Sequence, residues 1–316
     1  MPHTAQHWAE LIEPVLNREF FYVGYSQSER RQSMLPMLFN METSTFATEK
    51  HMGLGGFSTT GWNFEDSGRV LYDEMVKGHE KTFEHHEFAK GFIVQRKLFD
   101  DNRLRDVFSQ ARGLGDSAFR MREKAGASVF INAFSAATSS SLDDYGTDVV
   151  GSDSVALLST VHPAPPGSQG SNQANEDTLS LTDTAVSTTR QAMMDFRDYH
   201  GDMLNVMPDL LLVPAELEDT ALTIVRSQQD PDSANNAINP QAGRFRVVVW
   251  HYLTDSNAWF MIDSGLMRQH LIWYDRIPLE FGREEDFDTF QAKFRAYMRF
   301  SLGWTDWRWI FGNNPS

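Results

Sequence analysis

Apolar and polar positions change rhythm several times along the chain, and each change marks an element. Over residues 1–61, Val15, Leu16, Phe20 and Phe21 have helical spacing. Polar Ser and Thr then dominate, and Gly53-Leu54-Gly55-Gly56 interrupts any regular element. This predicts an extended arm with one short amphipathic helix, unable to make a core of its own. From 62 to 101, charged and apolar residues alternate through Arg69-Val70-Leu71-Tyr72 and from Phe88 to Val94. That period predicts a long β-hairpin, polar on both faces for much of its length. Two strands alone are marginal in water, so such a hairpin needs a neighbour to lie on. The clearest helix follows, with Val107, Ala111, Leu114, Ala118, Met121 and Ala125 separated by alternating steps of four and three. Asn102 can cap it, and a run from Arg103 to Phe130 spans roughly 40 Å at 1.5 Å per residue. Gly113 and Gly115 inside it predict a bend.

From Ala136 to Ser180 the chain is rich in Ser, Gly, Asn and Pro, with Val155-Ala156-Leu157-Leu158 as a candidate strand and 163–175 as a loop. A compact α/β unit comes next. Thr182 or Asp183 caps a helix with Val186, Thr189, Met193 and Phe196 on its buried face, ended by Gly201. Leu210 to Val213 reads as a buried strand, and Pro214 opens a second helix whose inner face is Leu217, Ala221, Ile224 and Val225. A polar loop over 227–243 leads to strands at Phe245–Tyr252 and Trp259–Ile262, joined by a turn at Thr254-Asp255-Ser256-Asn257. Strands follow at Leu271–Phe281 and Phe294–Leu302. Trp307, Trp309 and Phe311 then recur at period two, which places them on one side of a strand. No internal repeat is visible, and the alternation of helical and strand periods predicts an α+β fold.

Composition narrows the function classes. With 41% hydrophobic and 22% charged residues the chain has the make-up of a folded protein. Its 23 Phe and 8 Trp suit both cores and protein–protein contacts. The formal net charge of −15 argues against a module that grips nucleic acid through phosphate contacts, although an acidic container can still surround DNA. No cysteine is present, which removes disulfides and thiolate metal sites. The apolar run at Leu210 is strand-sized, and the first 20 residues lack the apolar block of a signal peptide, so no membrane association is expected.

Candidate chemistry centres on His79-Glu80-Lys81-Thr82-Phe83-Glu84-His85-His86-Glu87. A zinc-protease helix needs His-Glu-x-x-His, and Phe83 stands where the second His belongs; the inverted pattern needs His at Lys81. In a strand His85 and His86 point to opposite faces. The cluster therefore reads as a solvated hairpin tip, with a metal-dependent enzyme as the competing reading. Gly113-Leu114-Gly115-Asp116 lacks the Gly-Lys-Ser/Thr of a phosphate loop, and no Gly-x-Ser-x-Gly is present. Glu284-Glu285-Asp286 reads as an acidic turn or helix start. No catalytic residue, metal site or cofactor is assigned.

Six phrases in order resemble the Mu-like major head subunit family, capsid proteins of tailed bacteriophages with the Hong Kong 97-type fold. They are Ala156 to Pro163; Leu181-Thr182-Asp183 with Phe196-Arg197-Asp198; Pro208 to Glu218; Asn235 to Pro240; Tyr252 to Phe260; and Tyr297 to Trp304. The detailed likeness covers residues 155–316, while the first 150 match in layout alone. The resemblance implies an N-terminal arm (1–61), an extended hairpin loop (62–101), a peripheral domain with a spine helix (102–181), an axial domain (182–265) and a return to peripheral strands (266–316). It implies self-assembly into hexamers and pentamers of an icosahedral or prolate shell, with portal, scaffold and decoration proteins as partners. Genomic double-stranded DNA would be enclosed without sequence-specific binding, in a virion assembled in the host cytoplasm. An encapsulin-like compartment on the same fold is the alternative.

Overall fold

The computed structural model describes residues 8–315 except 27–32, 60–61, 63–67, 69, 71, 73, 102, 136–144, 146–148, 229–237 and 287. In chain order the elements are α1 (Trp8–Arg18), a π-helix (Glu19–Tyr25), α2 (Leu35–Leu38), β1 (Asn40–Thr43), β2 (Thr48–Leu54), β3 (Lys77–Glu84), β4 (His86–Gln95) and α3 (Arg96–Asp100). The long helix α4 (Leu104–Ile131), β5 (Glu176–Asp177), α5 (Asp183–Met194), β6 (Leu210–Val213), a 3-10 turn (Ala215–Leu217) and α6 (Glu218–Arg226) follow. The chain closes with β7 (Arg246–Val249), β8 (Trp259–Ile262), α7 (Ser264–His270), β9 (Leu271–Asp286), β10 (Gln291–Trp304) and β11 (Ile310–Asn313).

The described residues form three sheets. One has the order β1-β9-β10-β4, a second β5-β11-β8-β6-β7, and β2 and β3 form a two-stranded ribbon. The long α4 lies against the first sheet and drives its last turns into the second. The apolar stripe predicted from Val107 to Ala125 is its buried face, and the helix runs for 28 residues without interruption. The expected cap Asn102 lies outside the described residues; Arg103 at the N-cap position makes no side-chain cap bond.

The two glycines of α4 at 113 and 115 have different surroundings. Gly115 is where the π-helix crosses: a Cβ there would stand 2.5 Å from the Phe20 carbonyl oxygen and 2.9 Å from the Tyr25 nitrogen. Gly24 makes the reciprocal approach, 2.6 Å from the Arg112 carbonyl oxygen. Two backbones this close leave no room for any side chain, and an ion pair from Arg112 to Glu19 flanks the crossing. Residues 8–26 are therefore not a free extended arm. Ile12 and Leu16 of α1 are buried with Val107, Ala111 and Phe294, and Phe20 with Leu114 and Ala296. These i, i+4 positions form a stripe that covers the apolar face of the N-terminal half of α4, which is why the segment turns helical and packs on its own chain.

Other departures have local reasons. The hairpin expected over 62–101 is built from β2 and β3, pairing from Thr48↔Glu84 to Leu54↔Lys77, whereas β4 leaves it to pair with β10. Phe88 and Phe92 stack on Phe300 and Phe294 at 4.6 and 5.3 Å, so burial on the first sheet outweighs pairing with β3. Ala156 to Leu158 is buried but is not a strand. Its backbone bonds go instead to Asn175, whose Nδ2 donates to the Leu157 carbonyl at 2.9 Å, and to Ala133. Thr182 caps α5 as expected, accepting from the Ala185 N–H, but the helix ends at Met194; Gly201, at φ +88°, closes a later turn. Pro214 opens the short 3-10 turn, from which α6 continues. The strand expected at 245–252 is confined to Arg246–Val249, while Trp259–Ile262 appears with the expected bounds. Trp307 and Trp309 precede β11 in a turn, and β11 joins β8 in the second sheet instead of the first.

Two substitutions two residues apart test the crossing. Gly115→Ala forces a methyl group onto backbone atoms and is expected to destabilise the fold by roughly 1–3 kcal/mol. Gly113→Ala meets nothing within 4 Å on an exposed helix position and is expected to stabilise by about 0.5–1 kcal/mol. Denaturant midpoints of the two proteins should move in opposite directions from the parent.

Candidate assembly interface

The ribbon of β2 and β3 is rooted on the first sheet by alternate residues at the end of β3 and just beyond it. Lys81, Phe83 and His85 point inward and are buried, as period two requires. The Lys81 ammonium donates to the Val150 carbonyl at 2.5 Å and lies 5.8 Å from the centre of the Trp304 ring. Phe83 packs edge-on to Tyr274 at 5.6 Å, and the Tyr274 hydroxyl bonds His51 Nε2 at 2.6 Å. Burial, with Glu42 and Glu49 alongside, raises the Tyr274 phenol well above its ordinary range, so it stays a neutral hydroxyl.

His85 sits between Ser301 (2.9 Å from Nδ1) and Ser44 (3.1 Å from Nε2). The Ser44 hydroxyl gives its proton to Glu49 at 2.6 Å, so toward His85 it accepts. This places the imidazole proton on Nε2 and leaves Nδ1 to accept from Ser301. The 79–87 cluster is thus the root of the ribbon, not a solvated tip. Its members diverge: His79 reaches the Pro163 carbonyl, Glu80 pairs with Lys50, and His86 begins β4. Among the described residues no group of three His, Asp or Glu is placed to hold a metal ion. Glu285 and Asp286 at the end of β9 pair with Arg283 and Lys293, so the acidic run closes a strand.

Beyond the root, described residues of the ribbon segment meet the 198–202 turn of their own chain. The Thr59 N–H donates to Asp202 at 2.8 Å, and His200 bonds the Gly56 carbonyl at 2.7 Å. Further out, large apolar side chains face solvent. Trp62 is 81% exposed and Tyr72 94%, and Leu54, Phe57, Val70 and Met75 are exposed with them. Covering one such side chain is worth about 1.5–3 kcal/mol, so several on one projecting ribbon make a surface ready to bind protein. Sequence periodicity missed the ribbon's true strands because Thr48 to Leu54 lacks β-branched or aromatic residues apart from Thr48. The exposed aromatics in a polar stretch were the available signal.

Burial, then the Arg299 charge, hold the His85 imidazole below its ordinary 6.5; Arg276 and His86 act in the same direction and Glu49 opposes them. The unfolded chain takes up a proton that the folded root resists. Stability from this residue is therefore present above pH 6.5 and is lost as pH falls from there toward the depressed value. Replacing His85 by Gln is expected to cost about 1–2 kcal/mol at neutral pH through the buried bonds. Melting temperatures taken from about pH 7.5 down to about pH 5.5 should then fall less steeply in the variant than in the parent.

The sequence profile described as phage capsid protein matches residues 80–313, from the root of the ribbon to β11. No curated protein sequence matches the chain. Among solved structures, one titled Microbacterium phage Oxtober96 superposes with a TM-score of 0.53 at 12% identity, covering 88% of this chain and 90% of the other. The capsid of an empty GTA particle gives 0.54 at 13%, covering 90% and 91%. The capsid of Cyanophage P-SCSP1u gives 0.54 at 9%, covering 89% and 87%. Identities this low speak for the fold, which is the Hong Kong 97 type; with the profile match over most of its length, the chain belongs to the phage capsid protein family.

Proposed function

We propose that copies of this major capsid protein form hexamers and pentamers of a closed icosahedral or prolate shell around double-stranded DNA, with the β2–β3 ribbon of each copy lying across a neighbour. The observation that carries this reading is the exposed apolar ribbon held on a rigid root. An isolated subunit leaves Trp62 and Tyr72 in water, whereas a shell covers them at every repeat. Contacts that are weak one at a time become strong when a closed surface holds many at once. Residues 182–265, with β6, β7 and β8, serve in this reading as the axial part around which capsomers close. The first sheet and α4 form the peripheral part.

The net charge of −15 supports a container that does not grip its contents. An acidic wall repels phosphate over about a Debye length, some 8 Å at physiological salt, and lets DNA move during filling. Portal, scaffold and decoration proteins are the partners such a shell calls for, and the role proposed for the chain is structural, with assembly in the host cytoplasm. Both readings share the fold; the match to a phage capsid profile favours a genome shell over an enzyme-filled compartment.

Deletion tests the ribbon. Replacing 57–75 by a short turn, with β3 and β4 kept, is expected to leave a folded protein with a melting temperature close to the parent that yields no closed particles by electron microscopy. Normal particles from this protein would refute the role of the ribbon.

A further inference from the structure

Past its root the ribbon meets the 198–202 turn, and two glycines mark the meeting. Gly55 is buried just beyond the end of β2, and its N–H donates to the Val76 carbonyl at 2.8 Å, so the two chains are still paired there. Gly78 stands near the start of β3. A Cβ at Gly55 would lie 3.0 Å from Cδ2 of Tyr199. One at Gly78 would lie 2.9 Å from Cε2 of the same ring, and 2.8 Å from the Gly53 carbonyl oxygen across the ribbon. One edge of the tyrosine therefore rests on ribbon backbone, an approach that larger residues would obstruct. Polar bonds extend the meeting outward. His200 reaches the Gly56 carbonyl, and the Asp202 carboxylate takes the Thr59 N–H at 2.8 Å. That bond and a second from the Thr59 hydroxyl hold the Asp202 carboxyl below its usual range.

The two partners differ in stiffness. In the turn, Asp198 Oδ1 accepts from the N–H groups of His200 and Asp202, both at 2.9 Å. The Tyr199 carbonyl accepts from Gln169 and Gly170, and Arg308 lies over the Tyr199 ring at 4.7 Å. The ribbon, by contrast, shifts register between Met52 and Leu54, immediately before the glycine slot. Irregular pairing lets a ribbon bend, so its direction beyond that point depends on what it rests on. We propose that the 198–202 turn is a seat that sets the direction in which the outer ribbon leaves the subunit, with Tyr199 as its positioning residue. This rests on the reading that the ribbon reaches a neighbour, and it assigns what aims the ribbon beforehand. A ribbon aimed in advance loses less freedom on capture. The seat holds residues 55–59 and 78 and leaves Trp62 and Tyr72 exposed beyond it, so it is kept while the outer part is covered.

The absence of cysteine makes the direction measurable. Gly113→Cys and Met75→Cys place spin labels at exposed positions on α4 and on the ribbon. Pulsed dipolar spectroscopy of the free subunit is expected to give one narrow distance distribution, which Tyr199→Ala with Asp202→Ala widens at least about twofold. Without the labels, the same two substitutions should lower particle yield at least about tenfold. A staple separates aim from damage to the fold. Tyr199→Ala protein that also carries Thr59→Cys and Asp202→Cys should regain particles when oxidised and lose them when reduced, because the disulfide restores the seat without the ring.

A distribution that the substitutions leave unchanged, or particles no more numerous oxidised than reduced, would overturn the seat. If the ribbon-deleted protein still fails to form shells in that case, the ribbon reading stands and something else aims it. Normal shells from the deleted protein would remove both, since an aimed ribbon would then have no task.

Discussion

Six consecutive residues near the end of α4 have no solvent face. Ala125, Gly126, Ala127, Ser128, Val129 and Phe130 are buried in succession, so every direction around the helix is occupied by some other part of the chain. Phe130 meets Trp250, Phe260 and Trp309 edge to face at 5.9, 5.6 and 6.2 Å, and so joins α4 to the second sheet. On the first sheet, Arg122 lies 5.0 Å from the centre of the Trp273 ring and pairs with Asp275 at 3.0 Å. Glu123, beside it, is buried; burial raises its carboxyl above the usual range, while Ser33 donates to it at 2.6 Å and ties down the segment leading to α2. One helix end thus sets the relative position of two sheets and the N-terminal segment. Aromatic pairs contribute about 0.5–1.5 kcal/mol each beyond the area they bury, so this node is costly to disturb.

Irregular backbone is held by buried polar groups where no ladder is available. His162 bonds Asp153 at 2.6 Å and the Asn175 side-chain Oδ1 at 2.9 Å, and its ring stacks on Trp307 at 4.2 Å. Asn175 in turn serves Ser159, Leu157 and Ile310. Near the chain end, burial opposes a charge on Asp306, but Arg308 and His270 outweigh it and keep the carboxyl below its usual range. The guanidinium of Arg308 also covers the rings of Tyr199 and Trp307 at 4.7 and 4.9 Å. These networks give a loop-rich region the definition that a sheet would otherwise supply.

Rigidity and exposure are divided along the chain in a way that suits assembly. The ribbon root is fixed by Lys81, Phe83 and His85, whereas its outer part keeps large apolar groups in water. A stiff base lowers the entropy lost when the outer part is captured, and the exposed aromatics supply area to be covered. The N-terminal segment behaves otherwise. Its apolar stripe is satisfied within the subunit by α4, through a crossing close enough to require Gly24 and Gly115. Among the described residues the largest exposed aromatics of the first hundred, Trp62 and Tyr72, thus sit on the ribbon segment, whereas Ile12, Leu16 and Phe20 are covered within the subunit.

Local periodicity determined the elements with strong signals: α4 from its apolar stripe, α5 from the Thr182 cap, β6 and β8 from short runs that are buried throughout. The order of phrases from Ala156 to Trp304 determined the family, because a shared fold leaves its marks in sequence at the same intervals. Tertiary structure alone decided which strands pair. Alternation around 77–95 is the same whether β4 pairs with β3 or with β10; Phe88 and Phe92 choose β10 because Phe300 and Phe294 are there to stack on. It also decided what Gly115 is for, since a bend and a close crossing both call for glycine and only the position of the π-helix separates them. Contacts between residues far apart in sequence leave no period to read, and the ribbon, the helix crossing and the Tyr199 seat are all made of such contacts.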